Sequence, residues 1–252
     1  MSSIRSAKTA LPGMDTPERG PLLRWMIFTG LCIFAVVLLW RYGLIRLMVT
    51  SDRTYISSII AILYIITSCH CLWRTRAIAL ESEAARRCRA ILSVPDGVKA
   101  NIDVEVMPAG MVTDHIRSLV TKARAQGAGR IDQTLLLRSL ADRLRGSNGF
   151  GAFASDTLMK LGLLGTIIGF IIMLAPIATL DATDKVAMKS SMGLMSDGMA
   201  VAMYTTLAGL VGSILVRIQY YMLDAATQQV FSDAVTLTET RVTPALERRH
   251  DG

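Results

Sequence analysis

Four stretches of this chain carry no formal charge, and each lies between charged residues. They are Trp25 to Trp40 between Arg24 and Arg41, Thr54 to Trp73 between Arg53 and Arg74, Leu161 to Leu180 between Lys160 and Asp181, and Gly198 to Val216 between Asp197 and Arg217. A helix that crosses a bilayer needs about 20 apolar residues, within a range of roughly 17–25. Three of the windows reach that length. The first is slightly short, but Arg24 and Arg41 can snorkel to the two interfaces. Trp25, Trp40, Tyr55, Trp73, Tyr220 and Tyr221 stand near window ends, where an aromatic belt belongs. Only 19 % of the 252 residues are charged, against about a quarter in soluble domains. The expectation is an all-α polytopic membrane protein with four transmembrane helices and helical cytoplasmic extensions. A cleaved signal peptide is the alternative for the first window, but Arg41-Tyr-Gly-Leu-Ile-Arg46 offers no small-x-small cleavage site.

The net charge of +7 could point to nucleic acid. The basic residues, however, concentrate between Arg74 and Arg145, with Arg86, Arg87 and Arg89 just beyond the second window. Positive residues near spans mark the cytoplasmic side. That places both termini and this long segment inside, and the Leu180–Asp197 loop outside. Arg41, Arg46 and Arg53 run against the rule in the short loop after the first window. The organisation that follows is a cytoplasmic tail over 1–20, two spans over 21–74, a cytoplasmic helical region over 75–155, two spans over 156–222 and a C-terminal cytoplasmic helix over 223–252.

Within 75–155, residues 75–94 are strong helix formers that extend the second span. Val98 to Met107 reads as a short strand or loop between two Pro/Gly turns. Helical spacing resumes from Thr113 and again over Ile131 to Leu144, until Gly146-Ser-Asn-Gly149 ends it. A last helix over Leu223 to Val242 is stopped by Pro244. No nucleotide fingerprint, P-loop or metal helix is present. Cys69-His70-Cys71 does not make a ligand set, because i and i+2 do not share a helix face. With His70, His115 and His250 scattered along the chain, no cofactor, metal or enzyme activity is expected.

The last two windows are not plain anchors. Gly162, Gly165 with Thr166, Gly169 and Met173 recur at three- to four-residue spacing, as do Ala202, Thr206, Gly209 and Ser213. Glycine lets membrane helices approach closely, and a buried hydroxyl needs a partner. Two uses of these stripes remain open. They can pack against each other, with the hydroxyls bonded back to backbone carbonyls. Alternatively, several copies turn them toward a common axis and line a thin polar route. No carboxylate lies inside any window. Asp156 and Asp197 sit at opposite ends. A proton route at membrane depth normally needs an acid or histidine, so its titrating group would come from another chain.

Gly162-Leu-Leu-Gly-Thr-Ile-Ile-Gly169, followed by Gly198 to Gly212, resembles the paired motifs of the MotA, TolQ and ExbB inner-membrane proton-channel subunits over roughly residues 155–222. The resemblance implies a homo-oligomeric ring, a pentamer, in the bacterial inner membrane around a dimer of a single-span partner like MotB, TolR or ExbD. The partner's membrane aspartate would exchange protons beside Thr166 and Thr206, and proton flow would drive mechanical work. Thr205, Ser213 and Asp197 join the expected ion pathway, and Gly162, Gly165, Gly169, Gly209 and Gly212 the expected helix packing. The TolQ and ExbB branch carries a glutamate five residues before the second threonine; Val201 stands there in this chain. A non-conducting membrane scaffold is the competing reading.

Overall fold

The computed structural model describes residues 21–43, 46, 55–93, 107–126, 132–179 and 185–248. The expected tail over 1–20, most of Val98 to Met107, and Asp181 and Asp184 lie outside these residues. The elements are α1 (Pro21–Arg41), α2 (Ile56–Ser93), α3 (Met111–Gln126), α4 (Thr134–Arg145), α5 (Gly149–Leu174) closed by a 3₁₀ turn (Ala175–Thr179), α6 (Lys185–Leu237), a π-helical turn (Thr238–Val242) and α7 (Thr243–Arg248). No strand occurs among the described residues.

Three helical stretches, Ile56–Leu92, Thr134–Ile177 and Met188–Leu246, are long and apolar enough to cross a membrane; Trp25–Arg41 is a shorter apolar helix. Among the described residues, the chain thus has three membrane-capable helices. At 53 residues, α6 is about 80 Å long, far more than a bilayer core. Its start corrects one expectation. The segment before Asp197, read as part of an external loop, is helical from Lys185. Its polar residues hide a run of good helix formers, and its first turns continue the axis of the span. Pro244 does not end the C-terminal helix either. It sits in the first turn of α7, where a missing amide costs nothing.

Two kinds of packing divide the molecule along its length. In the membrane windows the outward faces are large and apolar: Ile59, Ile62, Ile66, Leu163, Ile167, Ile171, Met203, Leu207 and Leu210 are all exposed. At the other end, where α2 and α6 overrun their windows, the core is made of large side chains with almost no exposure. Ile78 and Cys88 of α2, Val112, Ile116 and Leu119 of α3, Leu144 of α4, and Leu223 and Leu237 of α6 close around one another. Water drives that burial. Lipid cannot, so the spans must hold together by other means.

Polar side chains fix α3 and α4 to α2. The Glu81 carboxylate accepts the Met111 amide (2.9 Å), satisfying the start of α3. Arg74, nearly buried, donates to the carbonyls of Leu144 (2.8 Å) and Arg145 (3.1 Å) at the end of α4, and to Asn148 Oδ1 (3.3 Å). The turn that receives it has Gly146 at φ +46°, and a methyl there would lie 2.8 Å from the guanidinium. Asn148 in turn donates to Asp224 (2.8 Å). One arginine thus joins the end of a span to the soluble helices and, through Asn148, to α6.

His115 of α3 is buried with Nε2 unpartnered. Burial pushes its pKa down, partly offset by a backbone hydrogen bond with Leu136. The neutral ring is the native form, so the unfolded chain binds the extra proton. The stability it contributes is complete above the ordinary imidazole value of about 6.5 and is lost as pH falls below it. Thermal unfolding of the detergent-solubilised protein should move to lower temperature between pH 7.5 and 5.5, and His115→Leu should flatten that dependence. An unchanged slope in the variant would assign the acid sensitivity to other groups.

Candidate ion-pathway site

The site is built on the seam between α5 and α6, where the two backbones touch. A methyl at Gly162 would lie 3.1 Å from the Gly209 Cα, and one at Gly169 would lie 2.6 Å from the Ala202 nitrogen. At Gly198 it would meet the Met173 nitrogen at 2.5 Å, and at Gly165 the Thr205 hydroxyl oxygen at 2.3 Å. Below the span, Gly151 leaves the space that the Tyr220 ring fills. Gly212 differs, since a methyl there would find only Leu158 at 3.8 Å. The glycines of the two stripes therefore face each other within one chain, with no room between them for another helix.

That arrangement sorts the hydroxyls. Thr205 is fully buried in the notch at Gly165 and donates to the carbonyls of Val201 (2.8 Å) and Ala202 (3.2 Å) on its own helix. Thr206 is half-buried at the edge. Its hydroxyl donates to Ala202 O (3.0 Å) and lies 3.4 Å from Gly162 O across the seam. Thr166, also half-buried, donates to Leu163 O (2.5 Å). It lines a groove of ≈ 420 Å³ with Ile167, Phe170, Met173, Met199 and Ala202. Thr206 stands one turn along from Thr166. Both remain reachable from outside the hairpin, while Thr205 does not.

Ser213 pairs with Ser155 across the seam (2.9 Å between hydroxyl oxygens), toward the end that runs into the soluble helices. Asp197 lies at the opposite end, about 13 Å from Thr206 along the helix axis. It is half-buried next to Gly198. Val201 is buried in the seam. Among the described residues, no hydrogen bond joins Thr166 to Thr206 and neither hydroxyl is bonded to a carboxylate.

Sequence reasoning missed a polar cluster at the soluble end of the seam. His70 of α2 hydrogen-bonds through Nδ1 to the Tyr220 hydroxyl (2.7 Å) and contacts the Ser147 hydroxyl through Nε2 (3.3 Å). Phe150 meets the imidazole edge-on. Beside it Gln219 is fully buried and donates to Ser68 (3.1 Å), with its Oε1 unpartnered. Only the polarity of His70 and Gln219 near window ends could have signalled this cluster.

The sequence profile described as the MotA/TolQ/ExbB proton channel family matches residues 105–234, just over half of the chain. The chain belongs to the MotA/TolQ/ExbB proton channel family. The match takes in α3, α4 and α5 and nearly all of α6, reaching well upstream of the glycine motifs. No curated protein and no solved structure matches the chain. Members of the MotA/TolQ/ExbB family are proton-channel subunits of motors and act with a single-span partner in oligomeric complexes. The seam of α5 and α6 therefore lies inside the region that defines the family.

Changes at two seam glycines should separate. Gly169→Val forces a branched side chain into backbone and should destabilise the hairpin by about 1–3 kcal/mol or more. Gly212→Ala meets only an ordinary contact and should be neutral or stabilising by up to about 1 kcal/mol, because it removes a helix-interior glycine. Thermal unfolding of the two purified variants in detergent checks the order; equal effects would contradict the packing described.

Proposed function

We propose that this chain is the ring-forming channel subunit of a proton-motive-force-driven motor in the bacterial inner membrane. Copies of it, five in number, surround a dimer of a single-span partner whose membrane aspartate takes and releases protons. Thr166 and Thr206 supply the polar half of that exchange. Thr205, shut in the seam, holds the edge in position, and Ser213 and Asp197 mark the two directions out of the site. α1 provides a fourth crossing, both termini lie in the cytoplasm, and the basic helical region containing α3 and α4 extends there as well.

One observation carries the reading. Thr166 lines a groove on the α5/α6 hairpin and Thr206 lies half-buried at the edge of the same seam, in windows that hold no acid. A hydroxyl at membrane depth can orient and hydrogen-bond a carboxylate, but it cannot serve as a titrating group near neutral pH. An aspartate entering the groove from another chain completes the chemistry. The scaffold reading keeps one observation of its own, since packing alone already accounts for Gly162, Gly165, Gly169, Gly198 and Gly209.

Thr206→Val is isosteric and leaves the seam backbone untouched. In the complex reconstituted into vesicles with a pH dye inside, it should reduce proton uptake under an imposed gradient to background while the complex keeps its subunit composition. Uptake equal to wild type would defeat the channel assignment and leave the scaffold.

A further inference from the structure

A cavity of ≈ 820 Å³ opens between α4, the first turns of α5 and the part of α6 just beyond its membrane window. Its walls carry three guanidinium groups, Arg138 and Arg145 from α4 and Arg217 from α6. All three are exposed, and among the described residues none of them is in an ion pair. Two carboxylates share the cavity. Asp224 already accepts the Asn148 amide (2.8 Å), and Asp142 stands on α4 between Arg138 and Arg145. A fourth guanidinium, that of Arg74, lies directly behind the wall at Gly146. Arg74 is only 9 % exposed; its partners are the neutral oxygens of Leu144, Arg145 and Asn148, and its Nε has none. Four cations against two carboxylates leave the region short of negative charge, and a buried cation without a counter-ion is costly.

The same place is the surface of the bilayer. Trp73, next to Arg74, and Tyr221, on the cavity wall, are 67 % and 75 % exposed, as belt aromatics are. Toward the middle of the span, Leu207, Leu210 and Ile214 continue the face of α6 that carries Arg217 and Tyr221, at three- to four-residue spacing, and all three are exposed. From Leu207 to Arg217 is about 15 Å along the axis, the depth of one hydrocarbon leaflet. A small anion or an acidic protein surface would use the arginines and leave that apolar face idle. A phospholipid uses both.

We propose that this cavity binds the phosphate headgroup of an anionic phospholipid from the leaflet on the side of the soluble helices, with an acyl chain lying along Leu207, Leu210 and Ile214. Arg145 stands four residues before α5 and Arg217 follows the last residue of the α6 window, so these two are nearest the bilayer and hold the phosphate. The guanidinium fork matches phosphate oxygens, and basic pockets beside spans hold anionic headgroups in this way. Arg138, about 10 Å deeper along α4, adds to the field. A zwitterionic headgroup brings its own cation, which the arginines repel, so the site selects lipids of net negative charge. The Arg145 carbonyl also receives Arg74, so the bound lipid braces the joint between the spans and the soluble helices. The proposal needs only that the spans lie in a bilayer and stands apart from the channel reading.

The test uses the full chain, purified in neutral detergent in the oligomeric form in which it is extracted. It is titrated with phosphatidylglycerol, with phosphatidylcholine of the same acyl chains and with inorganic phosphate, and retained lipid is counted by native mass spectrometry. Phosphatidylglycerol should be retained at one per chain where phosphatidylcholine is not, and excess inorganic phosphate should not displace it. Arg145→Gln combined with Arg217→Gln should weaken that retention by about tenfold or more. Both side chains are exposed and outside any ion pair, so the fold does not depend on them. Arg117→Gln combined with Arg124→Gln removes the same charge from the exposed face of α3 and should leave retention unchanged. Equal loss in both double variants would reduce the effect to general charge attraction and overturn the site. Equal retention of the two lipids, or displacement by inorganic phosphate, also overturns it. An Arg145/Arg217 double variant that keeps its lipid but loses its oligomeric state overturns it too, and assigns the arginines to contacts between copies.

Discussion

Where a methyl at Gly169 would lie 2.6 Å from the Ala202 nitrogen, α5 and α6 can only run with backbone against backbone. Lipid gives apolar side chains no reason to leave it, so close approach, dispersion and short polar contacts have to hold the spans together. This constraint orders the rest. It uses the glycine faces within the chain, shuts Thr205 inside, and puts Thr166 and Thr206 at the rim. It also sets the register of α6, so the seam continues through Val216, Leu223, Val230 and Leu237 into the soluble end, where large side chains replace glycine.

The change from glycine to leucine along one helix is a change of solvent. In the membrane half, removing side chains permits contact. In the soluble half, adding them does, because burial from water is favourable there. Arg74 stands at the transition and binds the end of α4, so the membrane hairpin and the soluble helices are joined by charge-assisted hydrogen bonds rather than by a linker.

Much of the helical layout was legible in the residues. The charge-free windows mark α2, α5 and α6, and helical spacing marks α3 and α4. The glycine faces could be found by periodicity, but not which face they meet, because spacing on one helix carries no information about the neighbour's register. Thr205 and Thr206 are adjacent in sequence but point about 100° apart on the helix, so one enters the notch at Gly165 and the other stands at the edge near Gly162. The helical start at Lys185 was hidden by polar residues that a hydropathy window excludes. The His70–Tyr220 pair spans 150 residues, and nothing local to either residue announces it.

The claim at the centre of this account is that the acid completing the Thr166–Thr206 site belongs to a different chain. Native mass spectrometry of the complex taken from its own membrane tests it most directly. The account predicts five copies of this chain together with two copies of a single-span protein that carries an aspartate within its span. A complex containing this chain alone, or one whose companion has no acid at membrane depth, would contradict it.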